Sequence, residues 1–142
     1  MTHEHFEHGA DIGVRGTGAT PAEAFEGAAA ALCTLLSEDL SRVRLEAEER
    51  ISCSATGLEE LLVAFLNELI FLIGARRMAF GRTSVSIGRA PDGAWRLSAR
   101  AWGEPIDPSR HEATVEPKGA TFTALKVAEE DGRWVAQCVV DV

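Results

Sequence analysis

The sequence holds little that announces a chemistry on sight. It has three cysteines in 142 residues, Cys33, Cys53 and Cys138, and no C-x-x-C. Odd in number, far apart and set among apolar neighbours, they read as small core side chains in a reducing compartment, not as a disulfide framework. Basic residues are sparse, 14 against 22 acidic ones for a net charge of −8, and no Lys/Arg cluster extends beyond Arg76-Arg77. That argues against a long phosphate-tracking groove, so no direct high-affinity nucleic-acid binding is expected and any RNA role is indirect. The start, MTHEHFEHGADIG, lacks the basic and apolar blocks of a secretory signal, which makes the cytoplasm the expected location. The most apolar stretch, Leu61 to Ala75, is broken by Asn67-Glu68 and is too short to cross a bilayer. No G-x-S-x-G occurs, Gly13-Val-Arg-Gly-Thr-Gly18 opens neither a G-x-G-x-x-G nor a phosphate loop, and there is no repeat or low-complexity segment.

What is present is an ordinary globular composition, 46% hydrophobic and 25% charged. A chain of this length fits one domain, residues 1–142, able to bury roughly two-thirds of its unfolded surface. Two helices carry start signals. Thr20-Pro21-Ala22-Glu23 supplies a cap, a first-position proline and a capping-box glutamate, and the helix runs to about Ser37. Its stripe of Ala24, Phe25, Ala28, Leu32, Leu35 and Leu36 suits close packing on a flat surface. Thr56-Gly-Leu-Glu59 repeats the device before a second helix buried through Leu62, Phe65, Leu66, Leu69 and Ile73. Partial alternation in Val43–Ala55 and Thr83–Gly88 predicts strands. Ala90-Pro-Asp-Gly93 and Glu129-Glu-Asp-Gly132 predict hairpin turns, the second between Phe122–Ala128 and Arg133–Val140. The expected fold is α+β, two helices on one face of a mixed sheet in a two-layer sandwich.

Carboxylates are the main candidates for chemistry. Asp141 precedes the last residue, Val142, after the apolar run Trp134–Val140, so a side-chain and a terminal carboxylate lie one residue apart on a strand end. With Asp11 of HGADIG nearby in space, these oxygens would suit Mg²⁺, Ca²⁺ or Mn²⁺ better than zinc. Spacing alone favours the plainer alternative, a turn carboxylate and a solvated chain end. His3, His5 and His8 form H-x-H-x-x-H, but without a nearby cysteine and with the first two in a terminal tail, zinc is not expected. His8, three residues before Asp11, reads either as a donor orienting that carboxylate or as a half-buried strand residue. Lys118, between Pro117 and Gly119, reads either as an ammonium presented near a cleft or as an ordinary exposed lysine. Gly103-Glu-Pro-Ile-Asp-Pro-Ser-Arg-His111 reads as a shaped surface loop.

Five segments in order resemble the archease family: HGADIGVRG its H-x-ADIG opening, Thr20–Ala29 its T-xx-EAF-xx-AA helix, Leu61–Leu69 its LL-xx-WLNEL helix, Lys118–Phe122 its K-A-x-T-Y segment, and Val140-Asp-Val its chain end. The resemblance implies the archease fold and a non-enzymatic protein that activates the RtcB-type RNA ligase of tRNA splicing and RNA repair. The family promotes guanylylation of that ligase by GTP with divalent metal, and supports multiple turnover. Carried over by motif, Asp11, Asp141 and Val142 match metal-binding positions, with calcium among the ions implied, and Lys118 matches a functional lysine. Phe65 stands where the family commonly has Trp, and Thr123 where it often has His, a hydroxyl being a weaker ligand than imidazole. Two other classes stay open: a metal-dependent hydrolase using the same carboxylates with His8 as acid or base, and a chaperone or scaffold without a metal role.

Overall fold

Residues 1–113 and 115–142 are described by a computed structural model. The elements in chain order are β1 (Thr2–His8), β2 (Asp11–Gly18), α1 (Pro21–Cys33), β3 (Ala47–Ala55), α2 (Leu58–Arg76), β4 (Met78–Arg89), β5 (Trp95–Pro105), α3 (Pro108–His111), β6 (Gly119–Ala120), β7 (Lys126–Glu130) and β8 (Arg133–Asp141). A 3₁₀ turn, Leu40–Arg42, joins α1 to β3.

The start of α1 forms as its residues predict. The Thr20 hydroxyl accepts the Glu23 N–H at 3.2 Å, and the Glu23 carboxylate takes the Ala19 N–H at 2.8 Å. The helix ends at Cys33, short of the expected Ser37, because the Thr34 hydroxyl donates to the Ala31 carbonyl and the chain tightens into i→i−3 turns at Leu35 and Leu36. The second helix departs from the expected cap. Gly57, not Thr56, sits at its N-cap without a side-chain bond, while Thr56 reaches the Glu60 carboxylate at 3.5 Å. Glu59 and Glu60 in the first turn favour the helix dipole instead. Arg77 ends it in the left-handed region, φ 55°, with its N–H on the Ile73 carbonyl.

The α+β class holds, but the single mixed sheet does not. There are two sheets, β1-β2-β8-β6 with β7 also on β8, and β3-β5-β4, and every pairing is antiparallel. The crossover β3-α2-β4 carries the chain back in the same direction, as a parallel pair requires, yet β5 inserts between the two strands and pairs with each. Nor do the helices lie on one face of one sheet. Helix α1 packs on β1, β2 and β8 of the first sheet and β4 of the second, and α2 touches strands of both. The expected stripes are the core: Phe25, Leu32, Leu62, Phe65, Leu66 and Leu69 have no exposed surface, and the Phe25 and Phe65 rings stack at 6.2 Å.

Close approach of α1 to β2 depends on glycine. A Cβ on Gly16 would stand 2.1 Å from the Ala24 carbonyl oxygen, and one on Gly27 would stand 2.4 Å from the Thr2 oxygen. The backbones touch where side chains normally intervene. Against the expectation of a loose tail, all of β1 pairs with β2, from Thr2 opposite Thr17 to His8 opposite Asp11. The last hairpin turns at Asp131-Gly132, both at positive φ (53° and 78°), as a type I′ turn requires.

Candidate functional site

A two-residue loop, Gly9-Ala10, joins β1 to β2, with Gly9 at φ +63° in the first central position, where glycine is favoured. It sets His8 directly opposite Asp11. On the other side β2 pairs with β8, Ile12 opposite Val140, so Asp11 and the end of β8 meet one step further out. There the Val142 N–H donates to Asp11 Oδ1 at 3.4 Å across 131 residues of sequence. Beyond β8, Gly119 is opposite Asp141, and the Lys118 N–H donates to the Asp141 carbonyl at 2.8 Å. His8, Asp11, Asp141 with Val142, and Lys118 thus occupy four adjacent strands or their ends in one row at one end of the first sheet.

The alternation of β8 decides which way this row faces. Ala136, Cys138 and Val140 point to the core, Val135 and Val139 on the other side are covered as well, and Asp141, on that second side at the strand end, is exposed. Asp11 is half-buried, and His8 and Lys118 are exposed. Among the described residues none of the four takes part in an ion pair. Nor do any three His, Cys, Asp or Glu side chains, among the described residues, stand together as a metal cage. The donors that could serve a cation here are two carboxylates without a paired cation and the main-chain oxygens of residue 142, whose N–H meets Asp11. All are hard oxygen donors, which fits Mg²⁺, Mn²⁺ or Ca²⁺ completing its shell with water or a partner's oxygens, and does not fit zinc. His3 and His5 belong elsewhere: His5 Nε2 donates to the Ala31 carbonyl at 2.6 Å, tying β1 to α1.

Two positioning groups escaped the sequence reading. Asn67, read there as a break in an apolar helix and as part of the LL-xx-WLNEL resemblance but given no role, behaves like a strand partner for β6: its amide donates to the Ala120 carbonyl at 3.3 Å and its Oδ1 accepts the Ala120 N–H at 2.8 Å. That clamp fixes the segment that begins at Lys118. A polar residue interrupting an otherwise apolar helix was the available signal. The second group lies in the supposed surface loop, where Glu104 and His111 are 3% and 1% exposed. Glu104 accepts from the Arg44 N–H at 2.7 Å, from His111 Nε2 at 3.0 Å and from the Arg110 guanidinium. The Asp107 N–H donates to His111 Nδ1 at 2.8 Å, so the imidazole proton sits on Nε2 and points at Glu104. Arg110 above all, with the Arg44 N–H and His111, holds the Glu104 carboxyl down to about 2 against the opposing effect of burial. The cluster fastens α3 onto the end of β5.

The family profile described as "Archease protein family (MTH1598/TM1083)" matches residues 3–142. The chain belongs to the archease family. It is 40% identical over 140 residues to the protein archease of Pyrococcus furiosus, covering 98% of this chain and 97% of that one. It is 39% identical to the protein archease of Methanopyrus kandleri, over the whole of both chains. The solution structure of Methanobacterium thermoautotrophicum protein 1598 superposes with a TM-score of 0.80 at 28% identity, covering 99% of this chain and 98% of that one. Within this archease fold Phe65 is a wholly buried packing residue. Thr123, the other departure from the family pattern, is exposed, and its carbonyl accepts the Val139 N–H at 3.0 Å. No helix among the described residues is long and apolar enough to cross a membrane.

Proposed function

We propose that this chain activates an RtcB-type RNA ligase in the cytoplasm, working from the sheet end that carries Asp11, Asp141, Val142, Lys118 and His8. The observation that carries this reading is the convergence, in one row at the end of the first sheet, of the residues that match the family's functional motifs. An open sheet end suits presentation to another protein's active site better than enclosure of a small substrate. Asp11 and Asp141 would hold Mg²⁺, Mn²⁺ or Ca²⁺, with the main-chain oxygens of Val142 at hand. Such an ion, when bound, supplies charge that neutralises phosphate oxygens during guanylyl transfer.

The chain's own residues have separable roles in this scheme. The Val142 N–H restrains one oxygen of Asp11, leaving the other free to bind. Lys118, fixed through its N–H to Asp141 and through the neighbouring β6 clamp to Asn67, presents an ammonium to an anionic group of the ligase. His8, across the hairpin from Asp11, offers a ring nitrogen at the rim. None of them is a nucleophile here.

The test is guanylylation and multiple-turnover ligation by the cognate ligase, with and without this protein. Wild type should stimulate both, and Asp11→Ala and Asp141→Ala, with unchanged thermal midpoints, should not. Stimulation by both variants equal to wild type would remove the carboxylates from the mechanism. No stimulation by wild type would overturn the activator role.

A further inference from the structure

The second sheet leaves its outer face to solvent. Along β3, β5 and β4 alternate residues are buried against the helices, and their neighbours point outward. Register then collects on that face residues that no run in the sequence announces. Arg50 lies opposite Arg100, which lies opposite Ser84; one row away, Glu48, Trp102 and Arg82 face one another; two rows the other way, Arg96 is flanked by Ser54 and Gly88. Four arginines therefore share one side of a three-stranded sheet in a chain of net charge −8.

Their arrangement works against stability. Like charges directly opposite on adjacent strands repel, and Arg50 and Arg100 are such a pair. Glu48 is the one carboxylate in these rows, with its oxygen 3.4 Å from Arg100 and 3.9 Å from Arg50. One negative charge against four positive ones leaves a net excess of about three, which an anionic ligand would neutralise. Beside them the Arg82 guanidinium lies 5.1 Å over the Trp102 ring, a cation–π pair on which an unpaired nucleobase can stack. Between the charged rows runs a row of hydroxyls, Ser52, Ser98 and Ser86, opposite one another across all three strands.

We propose that this face binds single-stranded RNA, with Arg50, Arg96 and Arg100 on the phosphates, a base on the Arg82–Trp102 pair, and the serine row toward the sugar edge. Guanidinium forks suit phosphate oxygens, the Arg82–Trp102 pair suits an unpaired base, and the serine hydroxyls can exchange hydrogen bonds with a 2′-hydroxyl that DNA lacks. An acidic protein segment would use the arginines but neither that pair nor the hydroxyl row. The assignment stands apart from the ligase reading, since the carboxylate row lies on the other sheet.

Fluorescence anisotropy of a short end-labelled oligouridine, titrated with the full chain, tests it. Binding is expected at low salt with Kd of about 10⁻⁶ to 10⁻⁴ M, typical of backbone-driven contacts. Three effective phosphate contacts give a log–log salt slope of about −2, hence affinity about 20-fold lower at 200 mM than at 50 mM salt. Arg50→Gln with Arg100→Gln should make that slope shallower by about 1.4, and Trp102→Leu should weaken binding about tenfold with little change in slope. Circular dichroism checks that each variant is folded. No binding by wild type at low salt, or variants that bind as wild type does, would overturn the proposal. Equal affinity for oligothymidine would remove the RNA assignment, and equal affinity for polyglutamate would make the face a site for acidic protein.

Discussion

Replacing Glu104 is the perturbation whose consequences the structure defines most fully. The residue is 3% exposed and accepts hydrogen bonds from three donors: the Arg44 N–H, His111 Nε2 and Arg110. Glu104→Ala leaves His111, itself 1% exposed, with a ring N–H aimed into a void, and strands a main-chain donor. A buried donor left unsatisfied costs about 1–3 kcal/mol, and removing one partner of a buried ion pair costs about 3–5 kcal/mol. Arg110 is a quarter exposed and recovers water, which places the total near the lower bound, about 3 kcal/mol. Urea unfolding followed by tryptophan fluorescence measures it. The pH dependence is the sharper test. In the fold the Glu104 carboxyl is held down to about 2, against an ordinary 4.5, so the unfolded chain takes up the proton first. This contribution is complete above about pH 4.5 and fades as pH falls toward 2, so wild type and variant should converge over that window. A deficit below about 1 kcal/mol at neutral pH, or one that does not shrink on acidification, would refute the buried-carboxylate argument.

Three further outcomes follow from the core. Phe65→Ala should destabilise by about 3–5 kcal/mol, and Phe65→Trp, the residue common in the family, by about 1–3 kcal/mol because the Phe25 ring fills the adjoining space; chemical denaturation checks both. Gly16→Ala drives a methyl to within 2.1 Å of the Ala24 carbonyl, so α1 must lift, and a thermal midpoint equal to wild type would contradict the backbone contact. Burial pushes the Cys33 thiol up to about 12 and Cys53 and Cys138 up to about 11, so at about pH 8 all three should react slowly with an aromatic disulfide until the chain unfolds, Cys53 first because it is the most exposed.

The helices were legible because their information is local. A proline, a capping hydroxyl and a stripe at helical spacing lie within one stretch of chain, and the same is true of the Asp131-Gly132 turn. The partition into two sheets was not, since it depends on where β5 inserts, and no residue of β5 says whether β3 and β4 will admit it between them. Nor was β1, whose residues Thr2 to His8 are nearly all exposed and so lack an apolar alternation; it is held by backbone bonds to β2 and by His5 reaching α1. Glu104 and Asn67 fall in the same class. Their partners Arg44 and Ala120 lie 60 and 53 residues away, so the loop read as exposed and the amide as an interruption.

The carboxylate row was legible residue by residue through family motifs, but its geometry follows from the core. Val14 and Val140 are fully buried, and Ile12 packs with them, so hydrophobic alternation fixes the β2–β8 register. A slip of one residue would take Val140 out of the core and turn Asp141 inward, at the expense of core packing and of a carboxylate without a partner. The apolar residues beside the two aspartates therefore set their register, and the carboxylates add only the bond from the Val142 N–H to Asp11. Asp11 gives the fold one long hydrogen bond, from the Val142 N–H at 3.4 Å, and the Asp141 side chain has no ion-pair partner among the described residues, so their substitution costs the fold little and tests the proposed binding role. Glu104 is the reverse case: its removal loosens α3 and the fold together, so an activity defect there carries no information about the site until stability has been matched.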